Sequence, residues 1–264
     1  MSRETGKKFV VLTSQRSGST WLISVLNQIE GVSAYGELFL RRKSARSENQ
    51  WDTDFARPRF VETEFPNLMK RPLTTFAYLN DLYHKPGAVG FKLMYSHMAK
   101  HPELLAYFML RRIRVVHLVR HNCLDVLISR AVKRKMNRAH VIAGQPEAGE
   151  VQVEMNPESL IRRLDTRTKK MMNARKMLKW SGLPSIEVGY EDLTRDGTAF
   201  QNICNFLSIN SGYEIPKSKF VKIRQRSQAE VISNYAEIIE ALKGTPYEGF
   251  LEEREDQSMQ VKQF

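Results

Sequence analysis

A short polar stretch, residues 14–20, has the composition of a site that binds an oxyanion. It reads Ser-Gln-Arg-Ser-Gly-Ser-Thr and follows a run of apolar residues. Gly18 lets the backbone approach an anion closely, and Arg16 offers a fixed positive charge with bidentate reach. The hydroxyl side chains are further hydrogen-bond donors. If a helix begins here, its unpaired N–H groups and the positive end of its dipole add to the attraction for a phosphate.

The stretch differs from the Walker A loop of kinases and NTPases. That motif places a lysine directly before the Ser or Thr, whereas here Ser19 precedes Thr20 and the cation, Arg16, lies on the other side of Gly18. A later apolar run ends in Arg120, with no acid where a carboxylate that organises magnesium would sit. Both differences argue against a magnesium-dependent kinase or NTPase. An ordinary serine-rich turn that caps a helix is the alternative interpretation of the string itself.

A second positive charge follows another apolar run, where residues 117–119 lead into Arg120. The next predicted helix carries Ser129 on a face away from its apolar stripe, so this hydroxyl can point toward the groove that holds Arg120. Taken singly, Arg120 suits a surface salt bridge and Ser129 suits a solvated helix position. Two anion-binding elements at the ends of two strands are harder to explain in this way, and they favour a binding site.

The elements that must position these residues alternate along the chain. Periodic apolar stripes predict a helix after residue 18 and further helices at about 122–135, 157–180 and 198–207. Asn122 and Asn156 are the expected N-caps of two of them, and Gly182 is the expected stop of the longest. Apolar runs predict strands at 8–13, 32–35, 88–94, 115–119 and 186–188.

Alternating strands and helices indicate an α/β fold, a P-loop-like parallel sheet with helices on both faces. The length of 264 residues fits a single domain, 1–264. Ligands of such sheets bind at the carboxyl ends of the strands. We therefore expect the chemistry in the turns that follow Thr13, Tyr35, Met94 and Val119.

The stretch from Arg16 to Trp21 resembles the phosphosulfate loop of sulfotransferases that use 3′-phosphoadenosine 5′-phosphosulfate (PAPS). In that family a cation-Ser-Gly-Ser/Thr-Thr-Trp string follows a strand, and the variant with Arg as the cation looks like the bacterial carbohydrate sulfotransferases of the nodulation-factor type. The resemblance places Trp21 beside the adenine, although a core position suits this residue equally well. It also implies that the 5′-phosphosulfate is held by Arg16, Ser17, Gly18, Ser19 and Thr20.

The second motif of that family is a strand that ends in Arg and a helix that carries Ser, which together bind the 3′-phosphate. Arg120 and Ser129 resemble this pair, with a spacing one residue longer than in the cytosolic small-molecule enzymes. Residues 190–193 and the helix after them resemble the late strand and helix of the family. Arg224 and Arg226 lie where such enzymes have a basic loop over the nucleotide, and an exposed basic loop is the alternative for them.

The resemblance implies an in-line displacement at sulfur, which needs positioned positive charge and a general base for the acceptor hydroxyl. Arg16 suits the charge that builds on the leaving phosphate. Glu37 follows a predicted strand in a segment that looks like the one with the catalytic glutamate in the bacterial carbohydrate enzymes, so it is the candidate base. Lys92, near the end of another predicted strand, is a candidate contact for the sulfuryl group or the acceptor. His97 and His121 are alternative bases.

Two long segments, about 41–86 and 137–155, are expected to be irregular and to form the walls of the acceptor site. They mix aromatic and basic residues that could stack on sugar rings and hold acidic groups. A satellite core with a solvated face is the alternative interpretation of the same residues. A carbohydrate or glycolipid acceptor follows from the resemblance alone.

The bulk composition limits the partners without selecting one. The formal charge of +12 at pH 7 favours anionic partners of any kind. A nucleic-acid-binding module is therefore one alternative function, although the usual recognition motifs are missing, so no specific nucleic acid is expected. A kinase with a degenerate loop and a catalytically inactive nucleotide-binding protein are the others.

The cysteines and apolar runs bear on the compartment. Cys123 and Cys204 are the only cysteines, which is too few for a disulfide framework and favours a reducing compartment. No apolar run reaches the length of a membrane span, and the first residues lack an apolar signal core. We therefore expect a cytoplasmic protein with no transmembrane segment. No spacing typical of zinc or calcium ligands occurs, so we predict no metal.

Overall fold

A parallel sheet forms the centre of the structure, a computed structural model that describes residues 7–40, 71–136, 151–195, 197–210 and 227–251. Its described strands lie in the order β2-β3-β1-β4-β5. Apolar runs on both faces of the central strands require cover on both sides, as in other parallel sheets. All neighbouring strands pair in parallel, so their carboxyl ends meet at one side of the sheet, the carboxyl edge. The strands are β1 (Lys7–Thr13), β2 (Val32–Tyr35), β3 (Ala88–Met94), β4 (Arg114–Val119) and β5 (Ser185–Gly189).

The helices include those that the apolar stripes predict, with the expected caps. Asn122 Oδ1 accepts a hydrogen bond from the N–H of Asp125 at 3.0 Å, and Asn156 Oδ1 accepts one from Ser159 at 2.9 Å. Gly182, with φ of 62°, follows the longest helix and ends it. The described helices are α1 (Ser19–Leu26), α2 (Arg71–Leu82), α3 (Tyr95–Lys100), α4 (Glu103–Arg111), α5 (Cys123–Met136), α6 (Pro157–Ser181), α7 (Tyr190–Arg195), α8 (Thr198–Leu207), α9 (Gln228–Val231) and α10 (Tyr235–Leu242).

The chain forms two compact units. The first contains the described residues of 1–121 and 169–221, and the second contains those of 122–168 and 222–264. In the first unit, one apolar cluster packs α1 and α8 on one face of the sheet, and another packs α2, α4 and the last part of α6 on the other face. The second unit has its own apolar cluster, built by α5, the first part of α6, α9 and α10. A single domain over the whole chain stays a prediction.

The predicted α/β fold, with a parallel sheet covered on both faces, is confirmed. The expectation of an irregular segment at 41–86 is wrong for Arg71–Leu82, which is a helix. Its buried positions are Thr75, Leu79 and Leu82, so a threonine interrupts the apolar stripe and weakens the helical period in the sequence. Residues 41–70 and 137–150 lie outside the described part of the chain.

The structure also bears on the compartment and metal expectations. Cys123 and Cys204 are both buried, and neither forms a disulfide. Within the described residues, no helix is both long and apolar enough to cross a membrane. The same part of the chain contains no group of three or more His, Cys, Asp or Glu side chains arranged to hold a metal ion. A cytoplasmic location stays a prediction.

Candidate active site

The polar loop between β1 and α1 requires a glycine for two reasons. Gly18 is the N-cap of α1 and has a left-handed backbone with φ of 78°. A Cβ atom at this position would lie 2.2 Å from Cδ2 of Tyr190, which packs directly against the loop. Because Gly18 has no side chain to cap α1, the N–H groups of the first helical turn can bind an anion. The local structure is therefore the strand, turn and helix that the sequence predicts for an oxyanion site.

The buried hydroxyls of Thr13 and Ser17 fix the shape of the loop from its buried side. Ser17 Oγ donates to the carbonyl oxygen of Ser14 at 2.9 Å and also contacts Thr13 Oγ1. Thr13 Oγ1 donates to the carbonyl oxygen of Leu118 at 2.7 Å and so links β1 to β4. Ser17 is fully buried, and its hydroxyl therefore points into the protein. The sequence analysis expected this hydroxyl to be a donor to the ligand, and contact of Ser17 with an anion stays a prediction.

The two arginines expected to bind phosphate groups approach each other at the carboxyl edge. Arg16 lies in the loop with φ of 68°, and Arg120 directly follows β4. Burial lowers the pKa of Arg16, and the positive charge of Arg120 lowers it further, while Tyr190 has the opposite effect. The structure thus brings these two like charges close enough to repel each other. A bound anion would relieve that repulsion.

Tyr190 is a component of this site that the sequence analysis did not assign a function. The residue begins α7 immediately after β5, and its ring lies 4.8 Å from the guanidinium carbon of Arg120 in a cation–π contact. The same ring occupies the space beside Gly18. Its position after a parallel strand is the signal that could have identified it, since ligands bind beyond the carboxyl ends of such strands.

A second cluster follows β2 and β3, on the side of β1 opposite to β4 along the carboxyl edge. Glu37 comes after β2, and Lys92 lies in the last part of β3. Lys92 Nζ is 2.9 Å from Glu37 Oε1 and donates to Thr20 Oγ1 at 3.3 Å. Lys92 is only 8% exposed and Glu37 is half-buried, so this ion pair is partly shielded from water. Lys92 therefore connects the candidate base to the helix that carries the loop.

Of the two histidines considered as alternative bases, the structure brings His97 to Glu37. His97 lies in α3, is 5% exposed, and places Nε2 3.8 Å from Glu37 Oε2. Burial lowers the pKa of His97 to about 4, although the Glu37 charge opposes this shift. His121 is exposed, and its backbone N–H donates to Glu191 Oε2 at 3.2 Å.

The remaining predicted residues are less closely connected to these two clusters. Trp21 is half-buried and packs edge to face against Phe200, with ring centroids 6.5 Å apart. Ser129 lies on α5 in the second unit, so its contact with the 3′-phosphate stays a prediction. Arg224 and Arg226 lie outside the described residues.

Aromatic residues near the end of the 41–86 segment pack into the core. Tyr83 is buried and donates to the carbonyl oxygen of Phe9 at 2.9 Å, and Phe76 and Tyr78 pack against the same apolar cluster. For these three residues the structure favours the core alternative over an acceptor wall. The acceptor-wall hypothesis for the rest of 41–86 and 137–155 stays a prediction, and residues 41–70 and 137–150 of these segments lie outside the described ranges.

Comparison with known proteins adds an independent finding. The sequence model of a family described as "Sulfotransferase family" matches residues 9–212, which is well over half of the chain. The matched region includes the loop, Glu37, Lys92 and Arg120, but not Arg224 or Arg226. No curated protein matches the chain significantly.

Proposed function

This chain belongs to the sulfotransferase family, and we propose that it transfers a sulfuryl group from PAPS to a hydroxyl of a carbohydrate or glycolipid acceptor, with Glu37 as the general base. One observation carries the proposal. Lys92 joins the helix of the anion-binding loop, through Thr20, to the carboxylate of Glu37. A donor on the loop and an acceptor beside the base would therefore meet at Lys92.

PAPS supplies an activated sulfur: the acceptor oxygen forms a new S–O bond, the bond from sulfur to the bridging phosphate oxygen breaks, and adenosine 3′,5′-bisphosphate leaves. The proton of the acceptor hydroxyl goes to the carboxylate of Glu37. Catalysis of this kind depends mostly on positioning and on stabilisation of charge, as in phosphoryl transfer. The protein therefore needs cations at the leaving phosphate and a proton acceptor on the opposite side.

The donor side of the site consists of the loop and Arg120. Arg16 and the N–H groups at the start of α1 would hold the 5′-phosphosulfate and stabilise the charge on the leaving phosphate. The repulsion between Arg16 and Arg120 supports this role, because an anion bound near both would remove it. Ser129, Trp21, Arg224 and Arg226 are proposed to contact the 3′-phosphate and the adenine by resemblance to the family.

The acceptor side of the site consists of Glu37 and Lys92. A carboxylate held by a cation is a poorer proton acceptor than an unpaired one. We therefore propose that Lys92 turns part of its charge to the sulfuryl oxygens when the donor binds, which frees Glu37 to accept the proton. The short distances from Lys92 Nζ to both Glu37 and Thr20 support this movement, since a small rotation moves Nζ between them.

The test is calorimetry with adenosine 3′,5′-bisphosphate and with ATP, each with and without magnesium. We expect the bisphosphate to bind without magnesium and at least about tenfold more tightly than ATP, because each charge-assisted hydrogen bond to its 3′-phosphate adds about 1.5–3 kcal/mol. Binding of ATP alone, with a requirement for magnesium, would support a kinase instead and contradict the proposal.

Turnover requires an acceptor, which a panel of monosaccharides, oligosaccharides and glycolipids can supply. The compound sulfated fastest by the wild-type protein with PAPS becomes the reference acceptor for all variants. We expect a sulfated product from at least one member of the panel. Normal binding of the bisphosphate without any product from the panel would indicate a nucleotide-binding protein that lacks the proposed activity.

A further inference from the structure

We propose that His97 is a positioning residue for Glu37: its Nε2–H donates to Glu37 Oε2 in the acceptor complex and fixes the direction of the carboxylate. The proposal rests on the proposed role of Glu37 as the base. His97 does not take the proton from the acceptor in this scheme, and it acts only through Glu37.

The first support is the arrangement around the carboxylate of Glu37. One oxygen, Oε1, is held by Lys92 Nζ at 2.9 Å, while the other, Oε2, faces His97 Nε2 at 3.8 Å. Hydrogen bonds from N–H to O extend to about 3.2 Å, so an approach of roughly 0.6 Å would complete the second contact. Catalytic hydrogen bonds are often long in ligand-free proteins and shorten in the substrate complex.

The second support is the unsatisfied nitrogen of the His97 ring. Nδ1 is buried, and it has no hydrogen-bond partner among the described residues. A buried polar atom without a partner destabilises a fold, so a residue selected for packing alone would be apolar here. The tautomer with the proton on Nε2 leaves only a lone pair at Nδ1 and directs the N–H to Glu37. The contribution of the His97 ring is therefore the N–H group at Nε2.

The third support is the neutral state of His97. Burial lowers its pKa to about 4, and Glu37 opposes the shift, so the ring is uncharged at neutral pH. Three nearby groups lower this pKa further, namely His101, Lys100 and Lys92. A neutral ring can donate a hydrogen bond to Glu37 without adding a second cation beside the carboxylate. Glu37 thus keeps its ability to accept a proton once Lys92 releases it.

The fourth support is a network that holds α3, the helix that carries His97. Tyr95, the first residue of α3, contacts His117 Nε2 through its hydroxyl at 2.7 Å. His117 Nδ1 lies 3.0 Å from Glu187 Oε2, and Arg175 forms a bidentate pair with the same carboxylate at 2.6 and 2.8 Å. This series of side-chain contacts links α3 to β4, β5 and α6. The network has no direct part in the proposed reaction, and its effect is to fix the position of His97.

The test compares three substitutions at position 97 with the reference acceptor. We expect His97→Phe and His97→Asn to lower kcat about 10- to 100-fold, because a misdirected base loses that much activity. His97→Gln should recover most of the rate, since its amide nitrogen reaches the position of Nε2 and that of Asn does not. The affinity for adenosine 3′,5′-bisphosphate, measured by calorimetry, should stay within about twofold of wild type for all three.

Two further variants make the result specific. His101→Phe is the control: His101 is half-buried, and its ring contacts Glu103 at 3.3 Å rather than Glu37, so kcat should not change. Tyr95→Phe removes the contact to His117 and should lower kcat by a smaller factor than His97→Phe. It also keeps the proposal testable if His97→Phe does not fold.

The double variant Glu37→Gln/His97→Phe separates this proposal from the proposed base. If His97 acts through Glu37, adding His97→Phe to Glu37→Gln lowers kcat no further. Wild-type turnover in His97→Phe, or equal losses in His97→Gln and His97→Asn, would overturn the positioning role while leaving the base intact. Wild-type turnover in Glu37→Gln would instead overturn the base itself.

Discussion

The two clusters at the carboxyl edge differ in how their charges are arranged. Around the loop, Arg16 and Arg120 place like charges close together, and the pKa of Arg16 falls as a result of burial and of this repulsion. After β2 and β3, Glu37 and Lys92 form a closed ion pair beside a neutral histidine. An anion bound near both arginines would relieve this repulsion, whereas the opposite charges of Glu37 and Lys92 already balance each other. This difference is the basis of our proposal that the first cluster binds the nucleotide and the second carries the chemistry.

Substitution of the proposed base, Glu37, gives the largest expected effect and tests whether the second cluster carries the chemistry. Glu37→Gln keeps the size of the side chain but cannot accept the proton of the acceptor hydroxyl. We expect kcat with PAPS and the reference acceptor to fall about 10²- to 10⁴-fold. The affinity for adenosine 3′,5′-bisphosphate, measured by calorimetry, should change less than about twofold because Glu37 does not contact the donor nucleotide in our scheme. A large loss of nucleotide affinity would mean that the two clusters do not divide binding and chemistry as proposed.

Removal of Arg16 or Arg120 tests whether the first cluster binds the nucleotide. Its expected effect is smaller than that of Glu37→Gln. Arg16→Ala and Arg120→Ala should each weaken binding of the bisphosphate about 10- to 100-fold, through the loss of charge-assisted hydrogen bonds. Calorimetry at two salt concentrations measures this, and both variants should show a weaker salt dependence than wild type.

Arg114→Ala is the matched control for these variants. Arg114 begins β4 at the end opposite to Arg120, and its guanidinium donates to Ser208 Oγ at 3.1 Å. Its removal changes the net charge by the same amount but should leave bisphosphate affinity within about twofold of wild type. An equal loss of affinity in Arg114→Ala and Arg120→Ala would show that the protein attracts the nucleotide by general charge and not through the loop cluster.

The loop of the first cluster is predictable from local sequence for a physical reason. Gly18, Arg16 and the start of α1 are neighbours in the chain, so their residue types indicate a phosphate site directly. The caps at Asn122 and Asn156 are equally local, and both are confirmed. Local patterns also suffice for the strands, because apolar runs mark them without reference to distant residues.

Contacts between distant residues explain what the sequence analysis missed. Tyr190 reaches Gly18 only after the sheet forms, and nothing near Tyr190 in the chain indicates this contact. The inward hydroxyl of Ser17 depends on Thr13 and on the carbonyl of Leu118 in the adjacent strand. The sequence analysis likewise missed the helix Arg71–Leu82, whose buried positions include Thr75 as well as Leu79 and Leu82. The sequence therefore indicates the candidate residues and the local shape of the loop, but not the contacts that tertiary packing adds around them.

The pH dependence of stability gives the smallest expected effect and tests whether the second cluster holds a neutral histidine. The pKa of His97 in the folded protein, about 4, lies below its ordinary value of 6.5. Between these two pH values the unfolded chain binds more protons at His97 than the folded protein does. The free energy of unfolding therefore rises with pH from about 4 to 6.5, and above 6.5 His97 contributes no further change. Burial also lowers the pKa of His117, which contributes with the same sign. Denaturant unfolding measured from pH 4.5 to 7.5 should therefore show wild-type stability falling as the pH drops below about 6.5.

His97→Gln should reduce the slope of the free energy of unfolding against pH by at most about 1.4 kcal/mol per pH unit, which is the contribution of one proton. His84→Gln, at an exposed histidine, is the control variant. Glu187 cannot account for the difference, because Arg175 lowers the pKa of that carboxyl below its ordinary 4.5 and its contribution is lost only at lower pH. Equal slopes for wild type and His97→Gln would mean that His97 is not held neutral by burial. A cation would then stand on each side of Glu37 at mildly acidic pH, and the second cluster would no longer differ from the first in the way that separates chemistry from binding.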